Sequence, residues 1–134
     1  MTDHATTFLR RFWPSIIVLG FILYATLSSD PIGAEDLPSI PHIDKLIHAV
    51  MMGGLTGAII FDLQQADRSR RLPTKYLIFT AISVMIFGGV DEILQMSIEN
   101  GRSGEWLDLA ADWVGVWVAY FSVPPAVRAC LKMN

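Results

Sequence analysis

The sequence predicts an all-α, polytopic membrane protein, a single domain built as a bundle of four transmembrane helices. Three observations lead to this prediction. Of the 134 residues, 52% are hydrophobic and the mean hydropathy is +0.44, with the apolar residues grouped into four segments. Lys and Arg are concentrated in alternate connections between those segments. The last two segments also run directly into acidic residues, which is uncommon in a membrane span and points to function.

Length, charge and cysteine content exclude other classes. A chain of 134 residues is expected to form one domain, here residues 1–134. The net charge of −3 gives no basic surface for nucleic acid, so we expect no nucleic-acid partner. The single cysteine, Cys130, excludes an intrachain disulfide.

The first predicted helix covers about residues 12–28 and follows Arg10 and Arg11. A basic start before a short apolar stretch also suits a signal peptide, and paired arginines suit a twin-arginine signal. The small-residue cleavage pattern after Tyr24 is poor, and the rest of the twin-arginine motif is lacking. We therefore expect an uncleaved first helix.

The second, third and fourth helices are predicted at about residues 44–61, 75–98 and 105–123. Pro124 and Pro125 are expected to end the fourth. The uncharged, mostly apolar runs within these segments are shorter, at 76–90 in the third helix and 113–123 in the fourth. About 20 apolar residues are needed to cross about 30 Å of hydrocarbon. The adjoining acids should therefore lie at or just below the membrane surface.

The distribution of positive charge predicts the orientation. Eight of the ten Lys and Arg residues lie at the N-terminus, in the second connection or in the C-terminal tail. Lys45 and Arg102 are the other two, and they flank the remaining connections. Because cytoplasmic flanks are enriched in Lys and Arg, we expect a multi-pass protein with both termini in the cytoplasm.

Polar residues on three helices are expected to meet in the outer leaflet. Each of these helices has a polar pair at i, i+4 spacing, which shares one helix face: Asp44 and His48, Asp91 and Gln95, Asp108 and Asp112. Polar faces avoid lipid, so these should point at one another. The sequence thus predicts an acidic, water-accessible pocket that includes Glu92 and is rimmed by Lys45 and Arg102.

A structural role for these polar residues is the alternative. Polar side chains bridge membrane helices at about 0.6–2 kcal/mol each, and a pair such as Arg102–Asp108 or Lys45–Asp91 would merely neutralise charge. The acids outnumber the nearby cations, however, and burying several carboxylates is more unfavourable than such bridges are favourable. This balance favours function. Two small-residue motifs, Gly53-x-x-x-Gly57 and Ala111-x-x-x-Gly115-x-x-x-Ala119, instead predict close helix packing.

The polar motifs, taken together, resemble those of the VanZ-like membrane proteins over about residues 10–125. The motifs are Asp44-Lys45-x-x-His48, Asp91-Glu92-x-x-Gln95, Gly101-Arg102 and Asp108-x-x-x-Asp112-x-x-Gly115. Asp112 departs from the family, which commonly has Asn there, and adds a charge to the pocket. The resemblance implies a protein of the bacterial cytoplasmic membrane and cell envelope. The name-giving member is associated with low-level resistance to the glycopeptide teicoplanin.

Three functions remain open. The first is binding of a membrane lipid headgroup, a lipid-linked envelope precursor or an amphiphilic drug, with Lys45 and Arg102 meeting phosphate or carboxylate groups. The second is a membrane-embedded hydrolase or transferase acting on a lipid-linked substrate, with His48, Asp91 and Glu92 as candidate catalytic groups. A divalent cation held by these side chains would suit such an enzyme. Transport ranks last, because the first two helices look apolar in their inner halves.

Overall fold

The structure is a computed structural model that describes residues 2–28, 42–98 and 106–132. The predicted all-α class is confirmed, since the described ranges contain helices and turns but no strand. Within these ranges five helices follow one another: α1 Thr2–Arg11, α2 Trp13–Leu27, α3 Ile43–Ala66, α4 Thr74–Ile98 and α5 Trp106–Cys130. Arg102 and Glu105, which belong to the predicted site and the predicted fourth helix, lie outside the described residues.

The prediction of four helices omitted α1. This short helix is separated from α2 at Phe12, whose backbone (φ −108°, ψ 18°) departs from helical geometry. Pro14, which follows closely, has no N–H with which to bond the carbonyl of Arg10, so one helical hydrogen bond is missing at the junction. The bonds from Phe12 N to Phe8 O and from Ile16 N to Phe12 O, both 3.0 Å, still connect the two helices.

The predicted ends of two helices are also wrong. Helix α3 continues past residue 61 to Ala66, and α5 continues through Pro124 and Pro125 to Cys130. Two prolines remove two backbone donors and would usually break a helix. Here Pro124 and Val127 are both buried, so packing of the last turns against the bundle outweighs the lost hydrogen bonds.

Helices α3 and α5 run parallel and form the closest pair in the fold. A methyl group on Gly53 would lie 3.0 Å from the carbonyl oxygen of Gly115, and one on Gly115 would collide with the backbone of Ala49. Further along, a methyl group on Gly57 would lie 3.3 Å from Val123. The close packing predicted from the small-residue motifs is therefore confirmed, with backbone against backbone where side chains are absent.

Helices α2 and α4 complete the bundle and run antiparallel to α3 and α5. All four contribute to a common apolar core: Ile22, Met52, Leu55, Ala81, Val84 and Val116. Much of the outer surface of the same helices is also apolar, with residues such as Phe21, Phe79 and Phe121 more than half exposed. Within the described part of the chain, α3 and α4 are the two helices long and apolar enough to cross a membrane, and α2 is a shorter apolar helix.

Candidate functional site

The structure pairs His48 of α3 with Asp112 of α5. The distance from His48 Nδ1 to Asp112 Oδ1 is 3.1 Å, which is a hydrogen bond. Asp112 is 1% exposed, so its carboxylate has been removed from water almost completely. The two side chains meet because the parallel α3 and α5 approach each other so closely at Gly115, one turn further along α5.

Lys45 lies beside this pair and links two carboxylates. Its ammonium group is 3.1 Å from Asp44 Oδ2 and 3.1 Å from Asp108 Oδ1. The Lys45 and Asp108 side chains are largely shielded from solvent, whereas that of Asp44 is 46% exposed. The predicted rim cation is therefore engaged in ion pairs within the site, and it ties the beginning of α3 to the beginning of α5.

Asp91 of α4 lies at the same end of the bundle and accepts hydrogen bonds from two uncharged side chains. Thr26 Oγ1 donates to Asp91 Oδ1 at 3.0 Å, and Gln95 Nε2 donates to Asp91 Oδ2 at 3.0 Å. The second bond joins the i, i+4 pair that the sequence indicated. Thr26 was missed, since it stands near the end of an apolar helix where a lone threonine carries little signal.

Four helices thus converge on one polar cluster, which we call the outer cluster because the sequence predicts this end of the bundle in the outer leaflet: Thr26, Asp44, Lys45, His48, Asp91, Gln95, Asp108 and Asp112. Gly88 of α4 permits the convergence, because a methyl group there would lie 2.9 Å from Asp112 Oδ2. Asp91 and Asp108 both lie close enough to Asp112 to repel it electrostatically, and Glu92 lies close enough to His48 to attract its protonated form. The structure brings together the predicted residues of α3, α4 and α5, but Asp91 and Asp112 are each 1% exposed, so the cluster is buried and differs from the predicted water-accessible pocket.

An apolar groove borders the outer cluster between α4 and α5. Its volume is about 540 Å³, and Glu92 contributes its one acidic side chain. The other lining residues include Gly89, Ile93, Trp106 and Leu109. Glu92 lies close enough to His48 to interact with it electrostatically, so a molecule in this groove would have its apolar part against helix surfaces and its polar part near the outer cluster.

A second polar cluster lies at the opposite end of the bundle and corrects the expectation of apolar inner halves. Asp62 of α3 is 1% exposed and accepts hydrogen bonds from Ser15 N at 3.1 Å and Ser15 Oγ at 2.5 Å. Ser15 lies in the first turn of α2, whose cap residue Phe12 has no side-chain acceptor. Asp62 therefore caps α2 from a neighbouring helix.

The position of Asp62 in the sequence is compatible with two roles. An acid directly after the apolar run ending at Phe61 suggests the end of a helix as readily as a buried group. The structure continues α3 for another turn, which places Asp62 inside the bundle. Both ends of the bundle therefore contain buried carboxylates.

A metal site would need several ligating side chains around one point. Among the described residues, no group of three or more His, Cys, Asp or Glu side chains is arranged to hold a metal ion. The divalent cation that the residue types left open thus has no assembled ligand set in that part of the chain.

Comparison with known proteins gives no relative from which a function could be transferred. No protein-family model, no curated protein and no solved structure matches the chain. The resemblance to the VanZ-like proteins therefore stays a prediction that rests on the motifs themselves.

Proposed function

We propose that the chain is a VanZ-like, four-span protein of the bacterial cytoplasmic membrane whose outer cluster and groove bind an amphiphile. The observation that supports membrane insertion is the inverted polarity of the bundle. Carboxylates at positions 62, 91 and 112 are buried, while large apolar side chains are exposed on α2, α3, α4 and α5. A protein in water would leave such apolar surfaces unsatisfied, whereas hydrocarbon would cover them.

The proposed topology places the outer cluster on the extracytoplasmic side and both termini in the cytoplasm. A cysteine at Ser97 should react with a membrane-impermeant maleimide in intact cells, and one at Ser69 should react only after lysis. Both are exposed serines and the change is nearly isosteric, so the two variants are matched. Cys130 is exposed and must first become Ala. Labelling of Ser69→Cys but not Ser97→Cys in intact cells would contradict the orientation.

The ligand class follows from the groove between α4 and α5. An acyl chain suits its apolar walls, and a polar head placed near Glu92 would also lie near the outer cluster. A lipid headgroup, a lipid-linked envelope precursor and an acylated drug such as teicoplanin share this amphiphilic chemistry. The proposal therefore specifies an amphiphile with one acyl chain in the groove and a polar head at the cluster.

Trp106 provides a built-in reporter for this groove, because it lines the groove and is 85% exposed. In a variant with Phe at the other three Trp positions, teicoplanin should change Trp106 fluorescence saturably. The same molecule without its acyl chain should bind at least about tenfold more weakly.

A groove-filling variant tests the location of binding. Gly89 has open space around its α-carbon, so Gly89→Leu should fill the groove without disturbing the fold and should abolish the response. Gly20→Leu is the matched control, because Gly20 also has no neighbour within 4 Å and lies on α2. Equal binding by the two variants would show that the amphiphile does not occupy this groove.

The His48–Asp112 hydrogen bond favours a second candidate, a hydrolase or transferase acting on a lipid-linked substrate. A carboxylate that holds one imidazole nitrogen leaves the other nitrogen to move a proton, which is the usual arrangement of a general base. Release of product from a lipid-linked phosphoester by wild type, and its loss in His48→Gln, would support the enzyme. Saturable binding without product release would support the binding protein.

A further inference from the structure

The connection between α3 and α4 is an ordered structure, held by a buried glutamine. Gln64 is 2% exposed, and its Nε2 donates to the carbonyl oxygens of Asp67 at 3.0 Å and Arg70 at 2.9 Å. Its Oε1 accepts from Leu72 N at 3.1 Å. Three hydrogen bonds made by one side chain thus fix the backbone path of residues 67–72, which carries the charged side chains of this connection.

A basic cavity lies at this connection. It has a volume of about 460 Å³ and is lined by three cations, Arg70, Arg71 and Lys75, with one acid, Asp67. Hydrogen bonds from the Ser69 hydroxyl and backbone N–H lower the pKa of Asp67, which keeps it ionised and paired with Arg70 at 3.4 Å. Arg71 and Lys75 therefore give the cavity a net positive charge.

The cavity continues into a groove that faces the side of the bundle. This groove, about 680 Å³, shares Leu63, Lys75 and Tyr76 with the cavity and extends along α3 and α4 to Phe79 and Ser83. Its surface is mainly apolar. Lys75 lies over the Tyr76 ring, 5.2 Å from its centre, at the boundary between the two spaces. A cationic site thus lies directly beside an apolar channel.

We infer that this basic cavity and groove bind an anionic phospholipid of the cytoplasmic leaflet. The phosphate would lie between Arg71 and Lys75, and one acyl chain would follow the groove past Phe79. Cationic pockets at the inner ends of membrane helices attract anionic headgroups, and the adjoining apolar groove distinguishes a lipid from a soluble phosphate. The inference goes beyond the proposed amphiphile site, which lies at the other end of the bundle, and shares with it membrane insertion and the orientation that places the α3–α4 connection in the cytoplasm.

The test uses purified full-length protein in a neutral detergent, titrated with phosphatidylglycerol and with phosphatidylcholine and monitored by native mass spectrometry. Wild type should bind one phosphatidylglycerol tightly and phosphatidylcholine weakly. Arg71→Gln and Lys75→Gln should each weaken binding about fivefold, since each cation near an anionic lipid contributes about that factor. Equal affinity for the two lipids would overturn the inference.

Arg68→Gln is the matched control for charge. Arg68 belongs to the same connection but does not line the cavity, so its removal should change affinity by less than about twofold. An effect as large as that of Arg71→Gln would mean a diffuse surface attraction and would contradict a defined site. These residues are exposed, and unchanged melting temperatures would verify that the variants fold.

Two further measurements separate a lipid site from a phosphate site. Ser83→Phe should narrow the groove and weaken phosphatidylglycerol binding with all cations intact, and glycerol phosphate should fail to displace the lipid. Displacement by glycerol phosphate together with normal binding by Ser83→Phe would show a phosphate site and overturn the lipid assignment. Because His48→Gln alters only the outer cluster, it should bind phosphatidylglycerol normally, which keeps this inference separable from the proposed function.

Discussion

At the scale of single residues, the buried carboxylates differ in the donors that they receive. Asp112 accepts a hydrogen bond from an imidazole nitrogen, and Asp91 accepts hydrogen bonds from a hydroxyl and an amide. Asp62 accepts hydrogen bonds from a backbone N–H and a hydroxyl. Only an acceptor is needed in each place, and an amide oxygen is also an acceptor. The negative charge is therefore a separate property from the hydrogen bonds, and substitutions can distinguish the two.

Asp112→Asn should keep the fold, and Asp112→Leu should destabilise it. The amide oxygen can still accept from His48 Nδ1, so we expect a change within about 1 kcal/mol in the free energy of unfolding. Leucine leaves the imidazole without its hydrogen-bond partner, so Asp112→Leu should lower the free energy of unfolding by about 1–3 kcal/mol. Unfolding in mixed detergent micelles measures both. If Asp112→Asn were as unstable as Asp112→Leu, the charge itself would be holding α3 against α5.

Asp62→Ala should destabilise the protein by about 2–3 kcal/mol, because it leaves two buried donors of Ser15 without an acceptor. Ser15→Ala should lose only about 1 kcal/mol, since its backbone N–H still reaches Asp62. The double variant should be little worse than Asp62→Ala alone. The same unfolding assay gives all three values, and strictly additive losses would contradict the cap.

At the scale of helices, the parallel pair α3 and α5 organises the bundle, and it depends on missing side chains. Gly115→Ala should destabilise by about 1–3 kcal/mol, because the new methyl group meets the backbone of Ala49, which cannot rotate away. Gly54→Ala is the control on α3, where nothing lies within 4 Å. Gly54→Ala should raise the free energy of unfolding by about 0.5–1 kcal/mol, because alanine has the higher helix propensity. Similar melting temperatures for the two variants would contradict close contact at Gly115.

The sequence predicted the class and the meeting of polar residues better than it predicted helix ends. Spacing of i, i+4 placed each polar pair on one helix face, and the unfavourable contact of polar groups with lipid predicted that these faces, including His48 and Asp112, point at one another. The continuation of α5 through Pro124 depends on burial against other helices, which local propensity cannot express. The Asp62–Ser15 bond joins residues far apart in sequence, and neither residue type reveals its partner.

At the scale of the whole molecule, the bundle should lie in the bilayer with its tryptophans at different depths. Trp106 and Trp117 are both exposed on α5, and Trp117 lies about 16 Å further along the helix. In single-Trp variants reconstituted with brominated lipids, Trp117 should be quenched best by bromines deep in the acyl chain. Trp106 should be quenched best near the headgroups. Equal quenching profiles would contradict a transmembrane α5.

The pairing of α3 with α5 also imposes an order on biosynthesis. When Asp62 is synthesised, its partner Ser15 is already present in the chain. Lys45 and His48, in contrast, bind Asp108 and Asp112, which are translated 63 and 64 residues later. During that interval α3 presents a cation and an imidazole with no α5 carboxylate to receive them. We expect nascent chains stopped before α5 to remain at the insertion machinery or to be degraded, and pulse–chase of such a truncation would reveal it. Helix α3 therefore acquires these two carboxylate partners only once α5 has been synthesised.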